Sequence, residues 1–460
     1  MRSEADLTAA LRQAADGAPE PVDLLAGLGE RRRRRTRQRY RTALAVAGVV
    51  AVAVGGTTVV RSVGPRATIG DRPATTATTT ATTATTPTAK TPIREPEDPA
   101  PGKRARPASE VWPQAVFTMP KKTADGFTYR PVTALSPTEI LVAAEVSFEK
   151  TGRLEVYDLA TGTSRVLAEM PLHVEDYFMQ GAEAGPHHVV WYGARPNSGE
   201  AWADFWAVPV EGGRPVRVGE VTGALSAVAM IGVTDSHVVW SPESGGLYRV
   251  PLTGGTPEKI PGTDGLWLQS WPWATDVVTR RWDEVRDGDP DQRLLVNLET
   301  GERRTLTAPK GVHALHCRLQ WCLGRSGGSI VAVRPDGSDE RKLPSRAADP
   351  AVHGDRFVSM DGGRGPQLYD IETGRTATIG VGSEDGKNWS VGQGTSFSPS
   401  LVYYWNAAPL KERRACRPLQ ADELKNLPSS PTPGARVCQK NLVEPGNELR
   451  VLNLAAIPRE

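Results

Sequence analysis

Hydrophobic residues in the last three-quarters of the chain cluster in short runs separated by polar turns, and the runs come in pairs. Short runs rich in Val, Leu and aromatic residues and bounded by Gly, Pro or Asp are typical of β-strands. In each of seven pairs the second run leads into a turn, which Gly closes in six of them. These second runs lie at residues 154–162, 205–213, 247–255, 294–301, 330–337, 368–374 and 449–455.

The first runs of the pairs recur at a regular spacing. They start about 43 residues apart and lie at residues 140–146, 188–193, 237–242, 276–282, 318–324, 356–362 and 401–406. A repeat of this length with a strand hairpin in each unit is typical of four-stranded propeller blades. The sequence therefore predicts an all-β fold, a seven-bladed β-propeller over residues 111–460, with each pair forming the two central strands of a blade.

The seventh pair is followed by too few residues to add an outer strand, whereas a spare hydrophobic run precedes the first pair at residues 115–120. A closed ring leaves no exposed strand edge. We therefore expect residues 115–119 to complete the last blade.

The region before the propeller divides into three segments. Residues 42–60 are uncharged and apolar, about the length that crosses a bilayer, and they follow an Arg-rich block. This pattern predicts a cytoplasmic tail at 1–41 with a short helix, a single transmembrane helix at 42–60, and a propeller outside the cytoplasm. A cleaved signal peptide and a buried core helix are the alternatives. Residues 61–110 are rich in Thr and Pro and are predicted to be a disordered stalk.

Net charge is +2, and eight Arg residues between positions 31 and 41 account for more than all of it, leaving −6 for the rest. A mildly acidic body has no electrostatic footprint for nucleic acid, so no nucleic-acid partner is predicted. The Arg block lies directly before the apolar span, where positive charge marks the cytoplasmic side of a transmembrane helix.

Residues 135–167 contain a Ser-Pro turn, a hydrophobic strand and an Asp-x-x-x-Gly hairpin, and residues 241–242 and 397–399 repeat part of this pattern. The chain thus resembles TolB-type propellers, which implies the propeller fold and no particular activity. Its front resembles actinobacterial single-pass membrane proteins found beside sigma factors, but the tail lacks their zinc-binding His and Cys residues. That resemblance implies a signalling subunit whose tail contacts a sigma-factor-type regulator.

The four Cys residues form two local pairs, Cys317 with Cys322 and Cys416 with Cys438. An even, local set in an exported domain predicts two disulfides. A metal site using His313 and His316 with the first pair is the alternative, although the usual zinc-ligand spacing is missing.

Three further patterns are candidates for chemistry. Asp287, Asp289 and Asp291 resemble the start of a calcium loop without its later Gly and Glu, so they are a weak candidate for calcium binding. An ordinary turn is the alternative. The G-x-S-x-G run at 324–328 joins two predicted strands and not a strand to a helix, and no catalytic residue is predicted.

Four Trp residues crowd the predicted fourth blade and are candidate ligand-binding residues, because aromatic side chains at a funnel mouth can stack on sugars or peptides. They are Trp267, Trp271, Trp273 and Trp282. Blade packing is the alternative role for them.

The sequence favours a membrane-anchored binding, sensor or scaffold module for a peptide, glycan or envelope protein, with no cofactor. The alternatives are the signalling subunit and a hydrolase or lyase with its site in the propeller funnel. Whether the protein is an enzyme stays open at this point.

Overall fold

The computed structural model describes residues 105–459, except 148–149, 171–176, 196–200, 279–289, 345, 363–364, 384–385, 387, 399 and 419–435. The predicted tail, transmembrane helix and nearly all of the stalk lie outside the described residues. Within the described residues, no helix is both long enough and apolar enough to cross a bilayer.

The described residues contain seven four-stranded antiparallel sheets, which are the blades of a β-propeller. The predicted all-β, seven-bladed fold is thus confirmed. One strand, β1 (Val116–Pro120), precedes the first complete blade. Blades one to three are built from β2 (Thr128–Ala134), β3 (Glu139–Ser147), β4 (Lys150–Asp158), β5 (Thr163–Glu169); β6 (Phe178–Ala184), β7 (His188–Ala194), β8 (Trp202–Pro209), β9 (Val216–Thr222); and β10 (Val228–Val233), β11 (His237–Pro242), β12 (Tyr248–Pro251), β13 (Glu258–Lys259).

Blades four to six follow the same order. Their strands are β14 (Trp267–Ser270), β15 (Trp273–Thr275), β16 (Leu294–Asn297), β17 (Arg303–Thr305); β18 (His313–Cys317), β19 (Cys322–Ser326), β20 (Ser329–Val333), β21 (Arg341–Lys342); and β22 (Arg346–His353), β23 (Phe357–Asp361), β24 (Pro366–Asp370), β25 (Thr376–Thr378). The remaining elements are β26 (Val381–Gly382), β27 (Trp389–Ser390), β28 (Gly392–Gln393), β29 (Val402–Asn406), β30 (Lys411–Pro418), β31 (Arg436–Val443), β32 (Glu448–Asn453), the helix α1 (Ala108–Val111), and 3-10 turns at Pro113–Ala115, Gly223–Ser226 and Leu454–Ala456.

Blade seven closes the ring with strands from both ends of the propeller. Its strand order is β28, β29, β32 and β1, and β1 pairs antiparallel with β32 from Val116 opposite Leu452 to Pro120 opposite Glu448. The prediction that residues 115–119 complete the last blade is confirmed. This pairing covers the edge that β32 would otherwise expose.

Central strands such as β7 bury both of their faces, because successive side chains point toward opposite neighbouring blades. In β7, Val189 and Trp191 pack into a cluster with blade one, whereas Val190 and Tyr192 pack into a cluster with blades two and three. This two-sided burial explains why the central strands are nearly continuous hydrophobic runs instead of alternating ones.

The turn between the first and second strands of a blade meets the turn that follows its third strand. In blade one Leu159 N donates to Thr138 O at 2.7 Å, and in blade six Ile371 N donates to Arg356 O at 2.9 Å. These turns therefore lie on one face of the ring. The first residue of β1 and the end of β32 lie there too, so we name it the tail face.

The loops joining the second and third strands lie on the opposite face, which we name the arm face. Two accessory hairpins, β26–β27 and β30–β31, extend from it. The second of these, which we name the arm, is inserted between β29 and β32 of blade seven.

Two predicted strands are displaced in the structure. The second strand of blade four, predicted at 276–282, is β15, which begins earlier at Trp273 and is short. It stops before Asp276, whose carboxylate accepts hydrogen bonds from Arg293 N and Leu294 N and so replaces strand pairing there. In blade five the predicted strand at 318–324 starts only at Cys322, because the residues before it form the turn.

Candidate functional site

The arm is an antiparallel ribbon whose register runs from Lys411 opposite Val443 to Pro418 opposite Arg436. At its base Ala407 N donates to Glu448 O at 3.0 Å. The side-chain amide of Asn406 holds the two chain segments together, since its Nδ2 donates to Ala408 O at 2.9 Å and also to Pro445 O. The arm therefore leaves blade seven through a hydrogen-bonded neck.

Glu444 fixes the arm against the rest of the arm face. Its carboxylate accepts a 2.6 Å hydrogen bond from Lys121 Nζ at the end of β1 and a 2.7 Å hydrogen bond from Ser390 Oγ in β27. Burial raises the pKa of Glu444, but the bonds from Lys121 and Ser390 outweigh it and leave the pKa below its usual value. Leu410 is buried, and its N–H donates to Gly382 O at 3.3 Å, which joins the two accessory hairpins.

The predicted disulfides fall on opposite faces. Cys317 and Cys322 are bonded across the turn from β18 to β19 on the tail face, so this disulfide is confirmed. Cys416 in the arm is also disulfide-bonded, and its Cα partner across the ribbon is Cys438. No cysteine within the described part of the chain is free.

The metal alternatives gain no support within the described residues. There, no group of three or more His, Cys, Asp or Glu side chains is placed to hold a metal ion. Asp291 accepts a hydrogen bond from Leu315 N at 3.0 Å and so fixes the backbone between blades four and five. Asp287 and Asp289 lie outside the described residues.

The structure separates the predicted Trp residues of blade four. Trp267 begins β14 on the arm face, where its Nε1 donates to Glu243 O at 3.3 Å. Trp271 follows the other end of β14 on the tail face, where its Nε1 donates to Glu299 Oε1 at 2.9 Å. These two rings cannot share one ligand, because a four-residue strand lies between them.

The other two Trp residues add no aromatic site. Trp273 is buried in β15, and the guanidinium carbon of Arg304 lies 4.4 Å from its ring centroid. Trp282 lies outside the described residues. Ligand binding by these residues stays a prediction, and the geometry of the described ones favours blade packing.

A cluster that the sequence analysis missed lies on the arm face of blade two. The exposed Arg195 stacks on the half-buried ring of Trp202, with its guanidinium carbon 4.6 Å from the centroid. Trp202 Nε1 donates to Glu220 Oε2 at 3.2 Å, and Arg217 binds both Glu220 and the buried Asp204. Cation–π stacking of this kind favours a fixed orientation of the Trp ring.

The tail-face end of the central channel holds a buried carboxylate that the sequence analysis also missed. Glu183 lies near the end of β6, and its Oε2 accepts a 2.9 Å hydrogen bond from Ser398 N in blade seven. Burial raises the pKa of Glu183 to about 7, against the opposing effects of the Ser398 bond and the charge of Arg318 from blade five. A hydrophobic strand interrupted by one Glu was the available signal.

The residues between β28 and β29, which we name the crossing segment (394–400), carry Ser398 across to blades one and two. Thr395 N and Ser396 N donate to the carbonyl oxygens of Pro131 and Val132 in blade one, at 3.3 and 3.2 Å. Next to them Phe397 packs on Gly181 of blade two, so closely that a Cβ at Gly181 would lie 2.0 Å from the ring. The crossing segment thus fixes three blades together at the channel end.

Two glutamines of blade four complete this end of the channel. Gln269 Nε2 donates to Cys317 O, and Gln292 Oε1 accepts from Cys317 N at 2.7 Å. Arg318 Nη1 donates to Gln269 O at 3.1 Å. Because these polar groups bond to backbone groups of neighbouring blades, they join blades four and five at the tail face.

Comparisons with known proteins assign no family to this chain. No family model matches the chain, and no curated protein matches it. Among solved structures, it is similar to the tricorn protease at 16% identity and a TM-score of 0.34, covering 56% of this chain and 26% of that one. The chain thus spans about a quarter of that protease.

Two other similar structures are an oligogalacturonate lyase from Vibrio parahaemolyticus and YCF48 bound to the D1 peptide. The lyase shares 14% identity at a TM-score of 0.36, covering 52% of this chain and 76% of that one. YCF48 shares 12% identity at a TM-score of 0.37, covering 63% and 93%. At these values neither the lyase activity nor the peptide binding says anything about this chain, and the resemblance to TolB-type propellers stays a prediction.

Proposed function

We propose that this protein is a membrane-anchored, extracytoplasmic β-propeller that acts as a binding or scaffold module and holds its envelope partner on the arm face. The observation that carries the proposal is the position of the arm. It is a hydrogen-bonded, disulfide-containing ribbon on the face opposite the one where β1 starts and β32 ends.

The path of the chain brings its first described residues to the outer edge of blade six. Thr378, the last residue of β25, donates from its N and its Oγ1 to Arg106 O and Ala105 O, both at 2.9 Å. Residues 105–115 then pack between blades six and seven and reach the tail face, where β1 starts, with Trp112 buried beside Phe357. A stalk that continues from residue 105 therefore leaves beside blade six, and the arm projects from blade seven.

The attachment of the arm base supports a role in binding over a neutral insertion. A neutral insertion needs no specific attachment, yet Glu444 bonds the arm base to Lys121 and to Ser390 in β27, and Leu410 bonds it to Gly382 in β26. Such attachment fixes the direction in which the ribbon projects. Function is commonly carried by loops on a rigid scaffold, and the arm is positioned in this way.

Site-specific crosslinking in intact cells tests the proposal. A photo-crosslinking residue at the exposed Arg413 in the arm is compared with one at the exposed Thr138 on the tail face. We expect a discrete crosslinked species from position 413 and none from position 138. Equal crosslinking from both positions contradicts the assignment of the face, and protection of the propeller from external protease in intact spheroplasts contradicts the extracytoplasmic location.

A further inference from the structure

The arm differs in charge from the rest of the chain. Its two strands contain six Lys or Arg residues and one Glu. Because the whole chain carries +2 and the Arg block at 31–41 carries +8, everything outside the Arg block and the arm strands carries −11. A ribbon of net charge +5 therefore projects from an acidic body.

The acidic residue next to the arm does not neutralise it. Glu444 is already bonded to Lys121 and Ser390, with the Lys121 Nζ at 2.6 Å. Lys411 and Arg413 in the arm are exposed, and so is Lys122 beside the arm base. The basic groups at the base therefore face solvent.

In the backbone register of the ribbon, Arg414 and Lys440 are Cα partners. Complete pairing of the one Glu in the ribbon still leaves a net charge of +5. A bound anion that lies along the ribbon offsets this charge.

We infer that the arm binds a linear anionic polysaccharide. This inference rests on the proposed function, because outside the cytoplasm the extended polyanions that a protein meets are glycans and not nucleic acids. Protein–protein hot spots are rich in Trp, Tyr and Arg, and of these three residue types the strands contain only Arg. Eight paired residues extend over roughly 27 Å, which suits several charged units of a chain in sequence.

Binding of the full-length protein to three dextrans of equal length tests the inference: neutral dextran, carboxymethyl-dextran and dextran sulfate. We expect both charged polymers to bind and neutral dextran not to bind. Raising the salt concentration should weaken binding, since exposed charges are screened. The exchange Arg413→Glu should lower affinity roughly five- to tenfold, and Lys411→Glu with it should lower affinity further.

The control is Arg214→Glu, which makes the same charge change at an exposed position of the tail face. Its affinity should equal that of the unaltered protein, and unfolding midpoints of all variants should agree, because the exchanged residues are exposed. An equal loss of dextran affinity in Arg413→Glu and Arg214→Glu overturns the inference. Tighter binding of poly-glutamate than of either charged dextran also overturns it, because the ligand of the arm would then be an acidic protein. Crosslinking from position 413 without dextran binding refutes only this inference and leaves the proposed function standing.

Discussion

On the tail face, neighbouring blades are tied to one another by hydrogen bonds between their turns, whereas on the arm face each blade carries a loop of its own length. Asn453 Nδ2 of blade seven donates to Ser136 O of blade one, and Leu319 N of blade five donates to Asp355 Oδ1 of blade six. Along the sequence, the intervals between the second and third strands of blades one to seven are 2, 7, 5, 18, 2, 4 and 41 residues long.

The difference shows which face can change without opening the ring. A change in a tail-face turn removes a bond to another blade, so it affects closure. A longer arm-face loop is held at both ends by its own blade, although single contacts between blades occur there too, such as the bond from Trp267 Nε1 to Glu243 O. We therefore expect stability to depend on the tail face and recognition to depend on the arm face.

The largest expected effect comes from the buried ion pair of blade six on the tail face. Arg356 donates to both oxygens of Asp370, at 2.8 and 2.6 Å, and to Pro458 O at 2.7 Å. Arg356→Met leaves the Asp370 carboxylate buried without its cation, which should lower the free energy of unfolding by about 3–5 kcal/mol. Denaturant unfolding measures this loss.

The matched control is Arg413→Met on the arm face, for which we expect a change within about 0.5 kcal/mol. If both Arg exchanges destabilise the protein equally, the two faces contribute alike and the comparison fails.

The second prediction concerns pH and Glu183. Its folded pKa of about 7 lies above the ordinary value of 4.5, so the folded state binds the proton more tightly than the unfolded chain. The stability from this group is fully present below pH 4.5 and is lost as pH rises through 7. The loss should be about 2.5 kcal/mol between pH 5 and 8.

Glu183→Gln keeps an acceptor for Ser398 N and removes the charge. The variant should match the unaltered protein near pH 5 and exceed it in unfolding free energy at pH 8. Unfolding curves at both pH values measure this. A variant that is less stable at every pH would mean that Arg318 stabilises the ionised carboxylate more than burial destabilises it.

The two disulfides give the third prediction. On the chain-entropy model, a loop of Cys317–Cys322 size, five residues apart in sequence, contributes about 2 kcal/mol, and the longer loop from Cys416 to Cys438 contributes about 3 kcal/mol. If the arm unfolds separately from the ring, its disulfide does not contribute to the main unfolding transition, although it closes the longer loop. Cys317→Ser with Cys322→Ser should lower the main transition, and Cys416→Ser with Cys438→Ser should leave it unchanged.

Peptide mapping without reduction is the accompanying measurement. It should recover a peptide linking Cys317 to Cys322 and another linking Cys416 to Cys438. A lower main transition in the arm variant would show that the arm folds together with the ring.

The sequence predicted the parts of the fold that repeat. The paired hydrophobic runs located the central strands of most blades, and the unpaired run before the first blade predicted the pairing of β1 with β32. Blade four was misplaced because its second strand is short and ends where the Asp276 side chain takes over the pairing. A single hydrophobic run cannot show where a side chain replaces a backbone partner.

The site was less predictable, since it depends on contacts between distant segments. Glu183 and Ser398 lie 215 positions apart, and neither has a local pattern that points to the other. The Arg195–Trp202 stack likewise forms across a loop. The long insertion of blade seven was visible in the sequence, whereas its folding into a ribbon attached through Glu444 was not.

The smallest expected effect is that of removing the arm. Deletion of residues 411–443, with an Asn-Gly turn joining Leu410 to Glu444, keeps the bonds from Glu444 to Lys121 and Ser390. Lys411 and Val443 are paired neighbours at the ends of the ribbon, so a two-residue turn spans the gap. The free energy of unfolding of the propeller should change by less than about 1 kcal/mol, because closing a shorter loop costs slightly less entropy. Scanning calorimetry should show the same main transition, while binding of the charged dextrans is lost. A main transition lowered by as much as that of Arg356→Met would show that the arm belongs to the closure of the ring.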